Sequence, residues 1–185
     1  MLSLQGAGPW QKAELANLRR GIGKSPAELP EVWEITLADI PDELTLHGTG
    51  DGRVATDAEW AIHSALTLYA LHQQSNSQSV YQAGRSFATA VRSLITPINE
   101  EAVKRRFDAV VTAGDLAELS YYARGLIQLL KASKTSQALD YPRLARDLYE
   151  YCYPEGRNRV RMQWGQDFYK AVEKSDIEHG KKVVE

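Results

Sequence analysis

The sequence predicts an all-α fold: a compact multi-helix bundle of roughly six to eight helices in two packed lobes. Apolar residues recur at helical spacing through most of the chain. Capping residues and stop signals fall at the ends of those stretches. No segment alternates with period two for long enough to require a strand. At 185 residues the chain can bury roughly 70% of its unfolded surface, enough for one sizeable core.

Trp10 to Leu18 reads as a short helix that ends at Arg19-Arg20-Gly21. Residues 24–53 read as irregular, because Pro26, Pro30 and Pro41 and the glycines at 48, 50 and 52 break long elements. A helical turn is expected at Pro30 to Trp33. Thr56, with Glu59 three residues on, is a capping box that opens a strong helix. Ala61, Ala65, Leu68 and His72 form one stripe on it, with Ile62, Leu66 and Tyr69 beside them, so the helix is expected to be buried over much of its surface. A polar loop, Gln73 to Ser79, follows.

Ser86 to Ile95 is the next predicted helix, with Phe87, Ala90, Val91 and Leu94 inward. Pro97 marks the expected boundary between an N-terminal lobe (1–97) and a C-terminal lobe (98–185). Asn99 or Glu100 starts a helix through Phe107, Val110 and Val111 that Gly114 ends. Asp115 caps another, whose apolar face is expected to run Leu119, Tyr122, Leu126 and Leu129. Asp140 reads as a helix cap or ion-pair partner, and Pro142 suits the first turn that follows, with Leu144, Leu148 and Tyr151 inward. A last helix after Pro154 carries Val160, Trp164, Phe168 and Val172, and the tail from Ser175 is expected to fray.

Composition excludes several classes. The single cysteine, Cys152, allows no intrachain disulfide and fits a reducing cytoplasm. No long apolar run predicts a membrane span, and the first residues carry no secretory signal pattern. The net charge of −2 conceals a division. Residues 1–84 carry 5 basic and 10 acidic residues, whereas residues 85–170 carry 14 basic and 10 acidic. A basic face can therefore exist on a mildly acidic protein.

The chemistry-bearing residues do not form a catalytic set. His47, His63, His72 and His179 lack metal-ligand spacing. His63 and His72 lie nine apart on one helix, roughly 13 Å along its axis. At the helix end, a protonated His72 would suit the macrodipole. Cys152 reads as a small core residue, and no glycine-rich phosphate loop is present. No enzyme, cofactor or metal is expected. The basic clusters remain. Lys104-Arg105-Arg106 spreads over roughly 200° of a helix, so the three cannot all face one ligand. Arg124, Gln128 and Lys131 form one polar stripe. Arg157, Arg159 and Arg161 approach the last helix. Tyr121, Tyr122 and Trp164 share apolar spacing and are expected in the core. Together the basic groups could track a phosphate backbone.

Seven segments occur in a specific order: Leu18-Arg19-Arg20-Gly21, Pro30-x-x-Trp33, Leu68 to Gln74, Arg105-Arg106-Phe107, Arg124 to Leu130, Leu139-Asp140-Tyr141 and Trp164-Gly165-x-Asp167-Phe168-Tyr169. As an ordered set they resemble the CasB family, the small subunit of the type I-E CRISPR Cascade complex. In the run Gly84 to Ala90, after His72-Gln73-Gln74, the family tends toward a second glycine where this chain has Ala88. The resemblance implies an all-helical, non-catalytic cytoplasmic subunit, present as a pair within an antiviral complex. It implies partners: the other Cascade proteins, CRISPR RNA, target DNA and the displaced single strand. It also implies nucleic-acid-binding positions at Arg19, Arg20, Arg105, Arg106, Arg124, Arg146 and Arg159, to which the basic pattern adds Lys24, Arg85 and Lys131. The alternative reading is a helical adaptor that contacts only protein partners.

Overall fold

The computed structural model describes residues 8–45, 55–133 and 137–170. His47, His179, Val172 and the tail from Ser175 lie outside them. Among the described residues the fold is all-α. Helices run α1 (Pro9–Arg20), α2 (Trp33–Thr36), α3 (Asp42–Thr45), α4 (Asp57–Gln73), α5 (Phe87–Arg92), α6 (Glu100–Thr112), α7 (Leu116–Ala132), α8 (Tyr141–Tyr151) and α9 (Pro154–Tyr169). One isolated bridge, Tyr81 with Leu139, is the sole β-type pairing among these residues.

The central element is α4. The Thr56 hydroxyl accepts from Glu59 N, and the Glu59 carboxylate accepts from Thr56 N, so the expected capping box is formed. Every residue from His63 to His72 is buried. α1, α7 and α8 all pack on it. On the α8 side Tyr69 meets Tyr141 edge-to-face, with ring centroids 5.2 Å apart. A second layer places α5 against α9 and α6 against α7. Phe87 packs on Trp164 at 5.2 Å, and Phe107 stacks on Phe168 at 4.1 Å. One continuous apolar core therefore takes residues from both sides of Pro97, from Leu15 to Phe168.

Three expectations shift. Residues 24–45 are more regular than their prolines suggested. Pro26 and Pro30 open two 3-10 turns instead of breaking structure, and Ser25 with Glu28 forms a capping box on the first. The Trp33 indole N–H then donates to Pro26 O at 2.7 Å, tying the turns together. The helix from Ser86 stops at Arg92, short of Ile95. There the Asn99 side chain closes a turn, accepting from Thr96 N and donating to Leu94 O. On α7 the buried face is Leu116, Leu119, Ala123, Leu126, Ile127 and Leu130. Tyr122 and Leu129 lie off its centre.

Two of the family-like segments, Leu139-Asp140-Tyr141 and Trp164 to Tyr169, meet at one internal junction. The Asp140 carboxylate caps α8 by accepting from Arg143 N at 3.0 Å and also accepts from Gly84 N at 2.7 Å. Asp140 N donates to Arg85 O at 2.8 Å. Arg143 pairs with Asp167 at 2.9 Å and reaches Gly84 O. The loop before α5, the start of α8 and the end of α9 are thus fastened together by polar contacts. Beside them, buried Asp147 accepts from the Trp164 indole N–H at 2.8 Å. Burial raises the Asp147 carboxyl above its usual range, opposed by that hydrogen bond.

Candidate nucleic-acid interface

α6 and α7 lie side by side, and a surface groove of about 580 Å³ runs between them. It is lined by Arg105, Arg106 and Ala109 from α6 and by Tyr121, Tyr122, Arg124, Gly125 and Gln128 from α7. Helical geometry explains the set. Positions 121, 124, 125 and 128 recur at i, i+3, i+4 and i+7, so they share one face of α7. That face is opposite to the Leu-rich one. On α6, Val103, Phe107 and Val110 turn inward, which sends Arg105 and Arg106 outward.

Among the described residues the charge in this groove has no acidic partner. Arg105, Arg106 and Arg124 are exposed, and none pairs with an acidic side chain among the described residues. Lys104 is instead drawn to Glu100 at 2.6 Å along its own helix. This matches the expected divergence of the Lys104-Arg105-Arg106 triplet. Three guanidiniums on one concave surface can neutralise successive phosphates without reading bases.

Other sequence-nominated groups sit elsewhere. Arg19 and Arg20 end α1, where cations suit the macrodipole, and Arg20 lies 3.6 Å from Glu31. Lys24 is exposed and borders a small recess with Ala117 and Ser120 of α7. Arg85 is half-buried, with its guanidinium hydrogen-bonded to Ser93 and Gln137; burial lowers its pKa. Lys131 donates to Gln74 at 2.8 Å, joining the ends of α7 and α4. Arg146 lies 3.9 Å from Asp147, and Arg159 lies 3.5 Å from Glu150. Arg157 and Arg161 turn inward over the Tyr151 ring, 5.2 and 5.5 Å from its centroid. Arg161 also donates to Ala113 O at 2.8 Å.

Two tyrosines correct the sequence reading. Tyr121 is 72% exposed and Tyr122 36% exposed, so neither is a core residue. Their positions relative to the buried α7 face give the reason: Tyr121 sits beyond its edge, and Tyr122 at its margin. Trp164, by contrast, is fully buried as expected.

Outside the groove, His63 and His72 are buried and Cys152 is half-buried. His63 Nε2 lies 3.3 Å from Gly21 O, and burial lowers its pKa. His72 Nδ1 lies 2.9 Å from the Tyr141 hydroxyl. Burial lowers the His72 pKa to about 4, so the ring is neutral at pH 7 and does not serve the helix dipole as a cation. Burial pushes the Cys152 thiol up to about 12. Among the described residues no group of three or more His, Cys, Asp or Glu could hold a metal ion, and no helix is long and apolar enough to cross a membrane.

The model of the CRISPR-associated protein Cse2 family matches residues 14–169. The chain belongs to the Cse2 (CasB) family. The solved structure of CasB from Thermobifida fusca is similar over 87% of this chain and 86% of its own length, at 32% identity and a TM-score of 0.68. CasB from Thermus thermophilus covers 91% of this chain and 92% of its own, with a TM-score of 0.64 at 22% identity. CasB of M. ruber covers 94% and 91%, with a TM-score of 0.65, also at 22% identity. The last two likenesses are of fold. A search of curated protein sequences finds no match. Membership of this family makes the chain a subunit of the CRISPR Cascade complex, alongside other Cas proteins.

Proposed function

We propose that this Cascade subunit works in a type I-E complex as a non-catalytic, cytoplasmic clamp on nucleic-acid backbone. In this reading it steadies the guide RNA with its target strand and the displaced strand, and a pair of copies serves each complex. The observation that carries it is the α6–α7 groove, where Arg105, Arg106 and Arg124 lie on one surface without an acidic partner among the described residues. In guide-RNA complexes base pairing reads sequence, and protein supplies positive channels for the backbones. Arg19 and Lys24 are proposed as outlying contacts on the same terms, and Arg20 as one that must first leave Glu31, 3.6 Å away. Arg85, Lys131, Arg146 and Arg159 would first have to leave the partners described above.

The test is salt dependence. Each phosphate neutralised on a single strand contributes about −0.7 to the slope of log affinity against log salt. Three arginines therefore account for a slope of about −2. The Arg105→Ala/Arg106→Ala/Arg124→Ala variant should bind a single-stranded oligonucleotide with a slope flatter by about that amount. A wild-type chain with a flat salt response, retained in the complex after nuclease treatment, would instead be an adaptor with protein partners alone.

A further inference from the structure

The groove holds more than charge. Its rim carries an aromatic ring that the fold leaves uncovered. Tyr121 is 72% exposed, on the helix face that also presents Arg124. Its ring meets Tyr122 edge-to-face, with centroids 5.5 Å apart and planes at 69°. Tyr122 thus braces one edge of Tyr121.

One turn further along the same face is Gly125. Glycine inside a helix costs stability relative to alanine, so a mid-helix glycine needs a reason. Packing does not supply one, since a Cβ built at Gly125 meets nothing within 4 Å. The space above it is open groove. Ala109 of α6 lines the same groove. Gly125 and Ala109 thus line the groove together with its arginines and tyrosines. A purely electrostatic surface needs no exposed ring. Flat rings beside cations are how proteins hold unpaired bases, because every base has a π-face and stacking tolerates any sequence. A duplex keeps its bases stacked on one another and offers no free base face along its length to such a ring.

We propose that Tyr121 is a base-stacking residue, which makes the α6–α7 groove select unpaired strand over duplex. The inference rests on the backbone-binding reading of the same groove. The arginines hold phosphates while a base lies on the Tyr121 ring, and Gly125 leaves room for it. The chemistry is shared by single-stranded DNA and RNA.

The test measures fluorescence anisotropy of the full-length chain with a dT12 strand, an rU12 strand, a dT12 duplex with dA12, and a 12-unit abasic strand. Wild type should bind dT12 or rU12 more tightly than the duplex and the abasic strand. Tyr121→Ala should lose about tenfold in affinity for the base-bearing single strand, within the range stacking supplies per base. It should bind the abasic strand as wild type does. Tyr121→Phe keeps the ring and should restore binding. Thermal melts of both variants should match wild type, since the side chain is exposed. If Tyr121→Ala binds dT12 and rU12 as tightly as wild type, while the triple arginine variant weakens every ligand, stacking is overturned and the backbone reading stands. If the arginine variant changes nothing, both are overturned. Wild-type affinity for duplex equal to that for single strand also overturns the proposal.

Discussion

Acidification should destabilise this fold through one residue in particular. His72 is buried at the α4–α8 contact, with Nδ1 2.9 Å from the Tyr141 hydroxyl. Its pKa is lowered to about 4, whereas in the unfolded chain an imidazole titrates near ~6.5. Between those values the unfolded state binds the proton and the folded state does not. The unfolded state therefore gains as pH falls, and stability rises with pH through the window from about 4 to ~6.5. At pH 7 the effect of His72 is close to zero, while at pH 5 it costs the fold about 2 kcal/mol. His63, lowered in the same direction by burial, adds to the total acid sensitivity. The perturbation that isolates His72 is His72→Gln, which does not titrate. Urea unfolding of both proteins at pH 7 and pH 5 gives four free energies. The wild-type loss between the two pH values should exceed the variant's loss by about 2 kcal/mol, whatever the variant's baseline stability. Equal losses would show that His72 titrates normally in the fold, and the reasoning from its burial would fail.

Two further outcomes follow from the packing. At the α8–α9 turn, a Cβ on Gly156 would lie 2.2 Å from Glu150 O and 2.9 Å from Glu150 C. The obstacle is backbone, so Gly156→Ala should cost about 3 kcal/mol, lowering the melting temperature by roughly 6–12 °C in calorimetry; an unchanged melt would show that this turn opens freely. Asp140→Ala removes both the α8 cap and the acceptor for Gly84 N, and should cost about 2 kcal/mol in urea unfolding. Asp140→Asn should recover part of that, because its single carbonyl oxygen can replace one of the two accepted bonds.

The helices were legible wherever local chemistry decides their ends. The Thr56–Glu59 box and the caps at Asp115 and Asp140 all form, because a cap is made within three or four residues of sequence. Residues 24–45 were harder to read, because proline both breaks and begins helical turns. Which it does depends on partners such as Glu28 and Trp33, which close the turns around it. The triplet at 104–106 was correctly read as divergent. That Arg105, Arg106 and Arg124 share one groove depends on how α6 docks on α7, and no spacing within either helix states that. The aromatic wall was misread for a related reason. Tyr121 and Tyr122 are adjacent, and a tyrosine suits a core margin as well as a groove. Only the burial of Ala123 and Ile127 shows where the inward face lies. Two segments that carry the family likeness contribute Asp140 and Asp167 to a structural junction with Gly84 and Arg143.

The central claim is that this Cascade subunit holds nucleic-acid backbone through the α6–α7 groove. The most direct measurement is target-DNA retention by the assembled complex carrying either the wild-type chain or the Arg105→Ala/Arg106→Ala/Arg124→Ala variant. Both chains should co-purify with CRISPR RNA and the other complex subunits in equal amount. The variant complex should release target DNA more readily, with affinity lower by about tenfold or more at physiological salt. Equal retention by the two complexes would contradict the claim.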